Sequence, residues 1–353
     1  KAYDFREKAP LLAHKDMFKI DTKNKKLSIN GHLASGVPGF VAGWLHIHNK
    51  YGSKPLQELL QPAILLARKG VKVNKSLAQA IGFRLSVLKT YPASSKIFLP
   101  KSKPLKEGDL LVQKDLANTI EAIADNSSKE FYQGPTADKI ISEMSKGGFF
   151  QKKDLLNYKV KQREPIQGYY KGHRIVSMPP PSAGGILLLQ ILKILEKLDY
   201  NPKGSHSAAA RDHLVVEAMR RAFVTRYRSL GDSDFNKIDV KALLSDKNIS
   251  SLAASIKEKK STNSTDLLRI SKQGHESEET AHISVVDARG LAVASTHTLN
   301  GWLGSGVVVP GSGILMNNQM DDFTTVADKG NIFGLVDGSL NLVAGGKRML
   351  SSM

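Results

Sequence analysis

The sequence predicts an α+β chain on three observations. Amphipathic helical patterns recur between residues 40 and 229, two β-rich runs flank a glycine-containing turn between residues 279 and 300, and glycine-punctuated apolar runs follow Gly301. With 353 residues, 41% of them hydrophobic, the chain has enough apolar material for one large domain or two smaller ones, and too much for disorder as its main state. Cysteine is absent, so disulfides, thiolate nucleophiles and cysteine-held metals are excluded, while the compartment stays open. The formal charge of +18 comes from 51 Lys and Arg against 33 Asp and Glu, and raises nucleic acid, an anionic membrane or an acidic substrate as partners. The lysines are scattered over residues 23–26, 101–106, 152–161 and 257–260 without interleaved aromatics, so a basic solvated surface is expected and a nucleic-acid partner is not. No apolar run approaches the roughly 20 residues of a membrane span. The N-terminus, Lys-Ala-Tyr-Asp-Phe-Arg-Glu-Lys, has no apolar signal core, so the chain is expected to begin after any such signal.

Asp4 to Pro10 is a charged exit from a short strand. Within it Arg6 has two readings: a surface ion pair with Asp4 or Glu7, or a planar fork that clamps a substrate carboxylate. Gly36-Val-Pro-Gly39 leads into an apolar helix from Phe40 to His48, whose glycines allow a neighbour close. His46 and His48, two apart, face different ways and make no metal pair. Pro55 and Pro62 each suit a helix first turn and Gly70 a C-terminal stop, which predicts a short helix and then a second one over residues 62–69. Residues 115–125 place Leu116, Ile120, Ile123 and Ala124 on one helical face, and residues 137–146 form another helix stopped by Gly147-Gly148. Residues 175–178 read as a strand broken by Pro179-Pro-Pro181. Ser182-Ala-Gly-Gly185 then opens a buried helix over residues 186–198, and its glycines suit close packing better than phosphate binding, since no G-x-G-x-x-G is present. Residues 211–227 put Leu214, Val215, Ala218, Met219 and Ala222 on one face.

The runs 279–287 and 291–300 read as a β-hairpin about Asp287-Ala-Arg-Gly290, with Thr280 at its mouth and a polar tract, residues 257–279, before it. The plain reading makes Thr280 an ordinary strand residue. The chemical reading needs the Glu279-Thr280 bond to be cut, after which Thr280 holds a hydroxyl beside a free α-amine of pKa roughly 8, a nucleophile with its own base. After the hairpin, short strands joined by glycine turns are expected. Gly304-Ser305-Gly306 is no nucleophile elbow, because Leu303 replaces the outer glycine and a strand follows where a helix should. Asp321-Asp322 reads as a cap or turn, a metal site, or an anionic wall for a substrate amine.

Five segments, Asp4-Phe-Arg-Glu-Lys-Ala-Pro10, Met178-Pro-Pro-Pro-Ser-Ala-Gly-Gly185, Thr280-Ala-His-Ile-Ser-Val-Val-Asp287, Asn317-Asn-Gln-Met-Asp-Asp-Phe323 and Leu350-Ser-Ser-Met353, resemble in order the motifs of the γ-glutamyltransferases (γ-glutamyl transpeptidases). The likeness spans essentially the whole chain. It implies a four-layer αββα sandwich of the N-terminal nucleophile hydrolase type, present here as an incomplete interior piece. It also implies a precursor that cuts itself between residues 279 and 280, so that residues 1–279 belong to a large subunit and 280–353 begin a small one, the two pairing as a heterodimer. Residue by residue, Thr280 matches the nucleophile and Thr298 the threonine that supports it. Arg6, Ser351 and Ser352 match the residues that hold the glutamyl α-carboxylate, and Asn300, Gln319 and Asp322 those that hold its α-amine.

The implied reaction is γ-glutamyl transfer and hydrolysis on glutathione and related compounds through an ester on Thr280, with water or an amino acid or peptide amine as acceptor and without metal or organic cofactor. Alternatives are a glutaryl or cephalosporin-type acylase of the same superfamily, or an inactive binding homologue; the latter is disfavoured because Thr280, Arg6 and Asp322 are all present. Departures are Ala281 and Met349, where the family commonly has Thr and Pro, and Phe333, in the lid-like loop 331–334, where bacterial members often have Tyr. The family's Gly-Gly oxyanion pair is expected beyond Met353. The family also implies a periplasmic or extracellular setting.

Overall fold

The computed structural model describes residues 1–19, 26–204, 207–268, 280–325 and 330–351. It is a mixed helical and sheet protein. Among the described residues there are eight strands: β1 (Ala2–Asp4), β2 (Val71–Lys72), β3 (Leu110–Leu111), β4 (Lys161–Arg163), β5 (Ile166–Tyr170), β6 (His173–Ser177), β7 (Ala281–Val286) and β8 (Ala292–His297). They pair antiparallel as β1 with β4, β2 with β3, β5 with β6, and β7 with β8. Helices make up most of the regular structure between β1 and β7 along the chain. No helix of the described residues is long and apolar enough to cross a membrane.

Two helices near the N-terminus show how local chemistry sets the frame. Helix α1 (Phe40–Tyr51) lies so close to the N-terminal segment that a Cβ on Gly43 would sit 2.2 Å from Cγ of Phe5, so the expected close approach is present and Phe5 is the neighbour. Helix α2 (Leu56–Lys69) corrects the expected break: it is one helix of 14 residues with Pro62 inside it. Pro55 starts it, and Gly70, with φ of 94°, ends it by donating its N–H to the Leu66 carbonyl at 2.8 Å. Pro62 stands on the exposed side, where the carbonyl of Glu58, left without an intrahelical donor, can be solvated.

The long helix Ala208–Ser229 buries Leu214, Ala218 and Ala222 as expected, but Met219 is exposed. The same buried face carries charge: Glu217 pairs with Arg221, and Arg226 with Asp337. An apolar periodicity count misses such positions, because a paired buried ion occupies a core position without looking hydrophobic. The helices Lys114–Asn126, Pro135–Met144 and Gly184–Lys197 form near their expected places, the last opening at the Ala183–Gly185 turn and packing against the 208–229 helix.

The chain after the hairpin departs most from expectation. In place of short strands, residues 301–325 and 330–351 are turns, isolated bridges and two 3-10 turns, yet they run through the interior. Val307, Val309 and Met316 join the core formed by α1 and residues 123–158, while Met320, Phe323 and Met349 pack with Ala9, Met17 and Phe18. Buried irregular backbone needs partners for its N–H and C=O groups. Side chains from earlier in the chain supply three of them: Arg84 donates to the Gly304 carbonyl at 2.8 Å, Ser94 to that of Gly306 at 2.6 Å and Thr119 to that of Ser312 at 2.8 Å. In the other direction Asn317 makes a reciprocal pair with the Gly36 backbone at 2.9 Å each way.

The continuous α2 helix yields a test. Proline in a helix interior costs up to about 3 kcal/mol relative to alanine, offset by about 1 kcal/mol from the stiffer unfolded chain. Pro62→Ala is expected to raise stability by about 1–2 kcal/mol in urea unfolding; an unchanged or lowered midpoint would mean that the helix is not continuous through this position.

Candidate active site

Arg6 leaves β1 and turns inward at once. Its own backbone N–H donates to Asp4 Oδ1 at 3.0 Å, and its carbonyl accepts the Tyr158 hydroxyl at 2.8 Å, so the residue is gripped on both sides. The side chain is buried, which excludes the surface ion-pair reading. Nη1 donates to Gln319 Oε1 at 2.5 Å, Nη2 forms an ion pair with Asp322, Nε reaches the Met349 carbonyl at 3.4 Å and Nη2 that of Leu350 at 3.5 Å. Glu7 Oε2 lies 3.9 Å from Nη1.

The Asp pair sits in a buried 3-10 turn, Gln319–Asp322. Asp322 uses its second oxygen to accept Asn331 Nδ2 at 3.0 Å. Asp321 points elsewhere: it accepts Ser28 Oγ at 2.5 Å and the Ile332 N–H at 2.7 Å, which ties the start of the 331–334 loop to the same turn. Phe333, half-buried in that loop, donates its N–H to Asn331 Oδ1 at 3.0 Å.

Gln319 extends the arrangement to the hairpin, its Nε2 donating to the Thr298 carbonyl at 3.1 Å. Thr298 directly follows β8, and its hydroxyl oxygen accepts the N–H of Asn300 at 3.0 Å. Asn300 is buried with φ of 80°, and its Nδ2 donates to the Asn318 carbonyl at 3.2 Å. In the hairpin Ala281 pairs with His297, so Thr280 and Thr298 flank that last pair, one on each strand. Thr280 is exposed, β7 is exposed along its length, and burial rises toward the mouth through Ser295, Thr296 and His297. Ser351 is buried, its N–H donating to the Pro181 carbonyl at 2.8 Å and its carbonyl accepting Arg226 Nη1 at 2.7 Å. Ser352 and Glu279 lie outside the described residues.

The structure therefore brings Arg6, Gln319, Asp322, Asn300, Thr298 and Ser351 into one hydrogen-bonded neighbourhood, and places Thr280 at the hairpin mouth beside it. It also adds residues that the motifs did not mark. Asn331 holds Asp322, and Arg226 with Asp337 holds the Ser351 backbone, Arg226 Nε and Nη2 meeting the two Asp337 oxygens at 2.8 and 2.9 Å. Arg226 continues the line of Leu214, Ala218 and Ala222 at four-residue spacing, and that was the available signal for its inward position.

With this geometry in hand, comparison with known proteins gives a consistent result. The sequence model of the family described as Gamma-glutamyltranspeptidase matches residues 1–353. The chain belongs to the gamma-glutamyltranspeptidase family. It is similar to the glutathione hydrolase proenzyme of Escherichia coli (strain K12), at 46% identity over all of this chain and 61% of that protein. Among solved structures, Helicobacter pylori gamma-glutamyltranspeptidase matches with a TM-score of 0.71 at 39% identity, over 77% of this chain and 80% of that one. A cephalosporin acylase from Bacillus halodurans matches with a TM-score of 0.81 at 26% identity, over 99% of this chain and 62% of that one. The chain thus spans about three-fifths of the length of curated relatives such as the Escherichia coli protein.

Burial pushes the Glu7 carboxyl up to about 7, against the pull of Arg6 and helped by the negative charges of Asp322 and Asp4. Because the folded value exceeds the ordinary 4.5, the folded state keeps the proton longer than the unfolded one. Glu7's contribution to stability is therefore fully present below about pH 4.5 and is lost as pH rises through 7. Glu7→Gln should be more stable than wild type at pH 8 by up to about 3 kcal/mol, with the gap closing by pH 4.5. Unfolding curves at the two pH values that show a constant gap would contradict this.

Proposed function

We propose that this chain forms the substrate-head and nucleophile region of a γ-glutamyl transferase and hydrolase that acts on glutathione and other γ-glutamyl compounds. The observation that carries the reading is the continuous path from Arg6 through Gln319 to the Thr298 carbonyl, which links a carboxylate clamp, an amine-binding wall and the hairpin mouth where Thr280 stands. Arg6 with Ser351 and Ser352 takes the α-carboxylate; Asp322, Gln319 and Asn300 take the α-ammonium. In the structure Arg6 and Asp322 neutralise each other. A zwitterionic head can enter by exchange, its carboxylate replacing Asp322 on Arg6 and its ammonium replacing Arg6 on Asp322, so that no buried charge is left without a counter-charge.

With the head held, the γ-amide faces Thr280. Its hydroxyl, giving its proton to the α-amine that self-cleavage frees, attacks the γ-carbonyl. The C–N bond breaks, the proton passes to the departing amine (cysteinylglycine when the substrate is glutathione), and a γ-glutamyl ester remains on Thr280. Water then releases glutamate, or an amino acid or peptide amine takes the glutamyl group, and the Thr280 hydroxyl is restored. The ester chemistry needs neither metal nor organic cofactor. Thr298, adjacent to the last hairpin pair, orients Thr280.

The same reading includes the finer architecture and processing: a four-layer αββα sandwich, a cut between Glu279 and Thr280, and a heterodimer of residues 1–279 with the subunit beginning at 280. The family name, the proenzyme naming of the Escherichia coli relative and the exposure of Thr280 support it. A periplasmic or extracellular setting is proposed from family resemblance alone. The acylase alternative draws on the Bacillus halodurans likeness at lower identity, and it differs in needing no amine wall.

Two experiments on the full-length protein test these roles. Thr280→Ala is expected to leave one uncut chain, whereas wild type yields a new N-terminus at Thr280 by mass spectrometry; cleavage elsewhere, or in the variant, would remove Thr280 from this role. Arg6→Lys replaces a fork by a point charge and Asp322→Ala removes the counter-charge of the ammonium. Each is expected to lower kcat/KM for γ-glutamyl amides by roughly 2 kcal/mol or more, about thirtyfold. Wild-type cleavage of glutaryl amides, which lack the α-amine, as fast as γ-glutamyl amides would refute the Asp322 role and favour the acylase.

A further inference from the structure

Between the two arms of the proposed head site lies a side chain that the motifs did not mark. Asn341 is fully buried at the end of the 3-10 turn Ser339–Asn341. Its Nδ2 donates to the backbone carbonyl of Asp322 at 2.6 Å and to Asp337 Oδ2 at 3.0 Å, and its Oδ1 accepts the Leu350 N–H at 2.9 Å.

Two of these bonds end on the two arms of the site, and the third, to Asp337, reaches the second arm through Arg226. Asp322 carries the carboxylate assigned to the substrate ammonium. Leu350 precedes Ser351 and offers its carbonyl to Arg6 at 3.5 Å. Asp337 grips Arg226, which in turn holds the Ser351 carbonyl at 2.7 Å. The arms, residues 319–322 and 349–351, are far apart in the chain, and the residues around each form no regular strand that would set their separation. An amide is suited to the task, because a single planar group donates twice and accepts once, which neither a carboxylate nor an apolar side chain of this size does.

We propose that Asn341 is a positioning residue that fixes the spacing between the ammonium-facing wall and the carboxylate-facing segment, and so selects substrates whose α-amine and α-carboxylate sit on one carbon. The proposal rests on the γ-glutamyl reading above. Buried, fully bonded polar networks of this kind hold geometry more tightly than apolar contacts, since each bond has a preferred direction as well as a length. Shifting either arm would leave the zwitterion bonded at one end and strained at the other.

The test uses the full-length protein with Asn341→Ala and Asn341→Asp. Self-cleavage, kcat and KM are measured on a γ-L-glutamyl anilide and on a glutaryl anilide, which keeps the chain but lacks the amine. Asn341→Asp preserves shape and the acceptor toward Leu350, but puts an oxygen against the Asp322 carbonyl and Asp337. The expected result is self-cleavage as in wild type, a tenfold or greater fall in kcat/KM for the γ-glutamyl anilide arising mainly in KM, and a narrowed preference over the glutaryl anilide. In Asn341→Asp part of the loss should return as pH is lowered toward 5, where a protonated carboxyl donates again. Should Asn341→Ala fail to fold, Asn341→Asp decides. KM within twofold of wild type, or equal losses on both anilides with the preference unchanged, overturns the proposal. A wild-type protein inert toward the γ-glutamyl anilide is a different failure, that of the γ-glutamyl reading itself, and the role of Asn341 falls with it.

Discussion

A guanidinium is expensive to bury, and Arg6 is kept inside this protein by having its N–H groups directed at acceptors: Gln319, Asp322 and the carbonyls of Met349 and Leu350. The cost of desolvating two opposite charges is offset only when geometry is good and the remaining donors are met. Meeting them requires three distant stretches, the exit of β1, the Gln319–Asp322 turn and the 349–350 segment, to converge on one side chain. Much of the surrounding structure follows from that convergence. Tyr158 pins the Arg6 backbone, Asn317 orients the Gln319 N–H at 3.0 Å, and Asn331 occupies the other Asp322 oxygen. Removal of one partner from such a cluster would leave a charge buried without its counterpart, so the arrangement is stabilised as a unit.

The same constraint explains why the interior after residue 301 is irregular. Strands would have satisfied the backbone by pairing with one another, but would have projected alternate side chains to opposite faces and could not have turned Gln319, Asp322 and Ser351 toward one centre. The observed solution uses side chains of the preceding two-thirds of the chain to satisfy a winding backbone. Arg84, Ser94 and Thr119 each cap a carbonyl in it, and Asn317, from within it, ties it to the Gly36 backbone. At Gly304, with φ of 51°, a Cβ would lie 2.2 Å from the Met316 carbonyl, so the path closes on itself only where a side chain is absent.

The hairpin has a different character at its two ends. Ile283, Val285, Val286 and Val293 are exposed, while the mouth is drawn into the body by the Gln319 bond to Thr298 and by His297 against the rings of Phe40 and Trp44, at 5.5 and 6.4 Å between centroids. The nucleophile candidate therefore stands where a buried polar site meets an exposed strand. Under the proposed processing this is a coherent place for it: Thr280 must be reachable for a cut and yet be aligned with a fixed substrate head.

The sequence alone was sufficient for features that depend on short-range pattern. The hairpin about Asp287–Gly290, the helix opening at Ala183–Gly185 and the apolar faces of the 114–126 and 135–144 helices all form near their expected places, because periodicity and turn chemistry act within a few residues. The motifs were sufficient for the family, and Arg6, Gln319 and Asp322 could be singled out before any contact was seen. What only the tertiary structure decided is long-range: that Pro62 lies within one helix, that the post-hairpin chain is buried without strands, that Arg6 is paired inside the protein with the wall it was expected to oppose, and that Arg226, Asp337 and Asn341 tie the site's arms together. These depend on which distant groups can neutralise a buried charge or satisfy a buried carbonyl, and that is a property of proximity in space, which spacing along the chain does not encode.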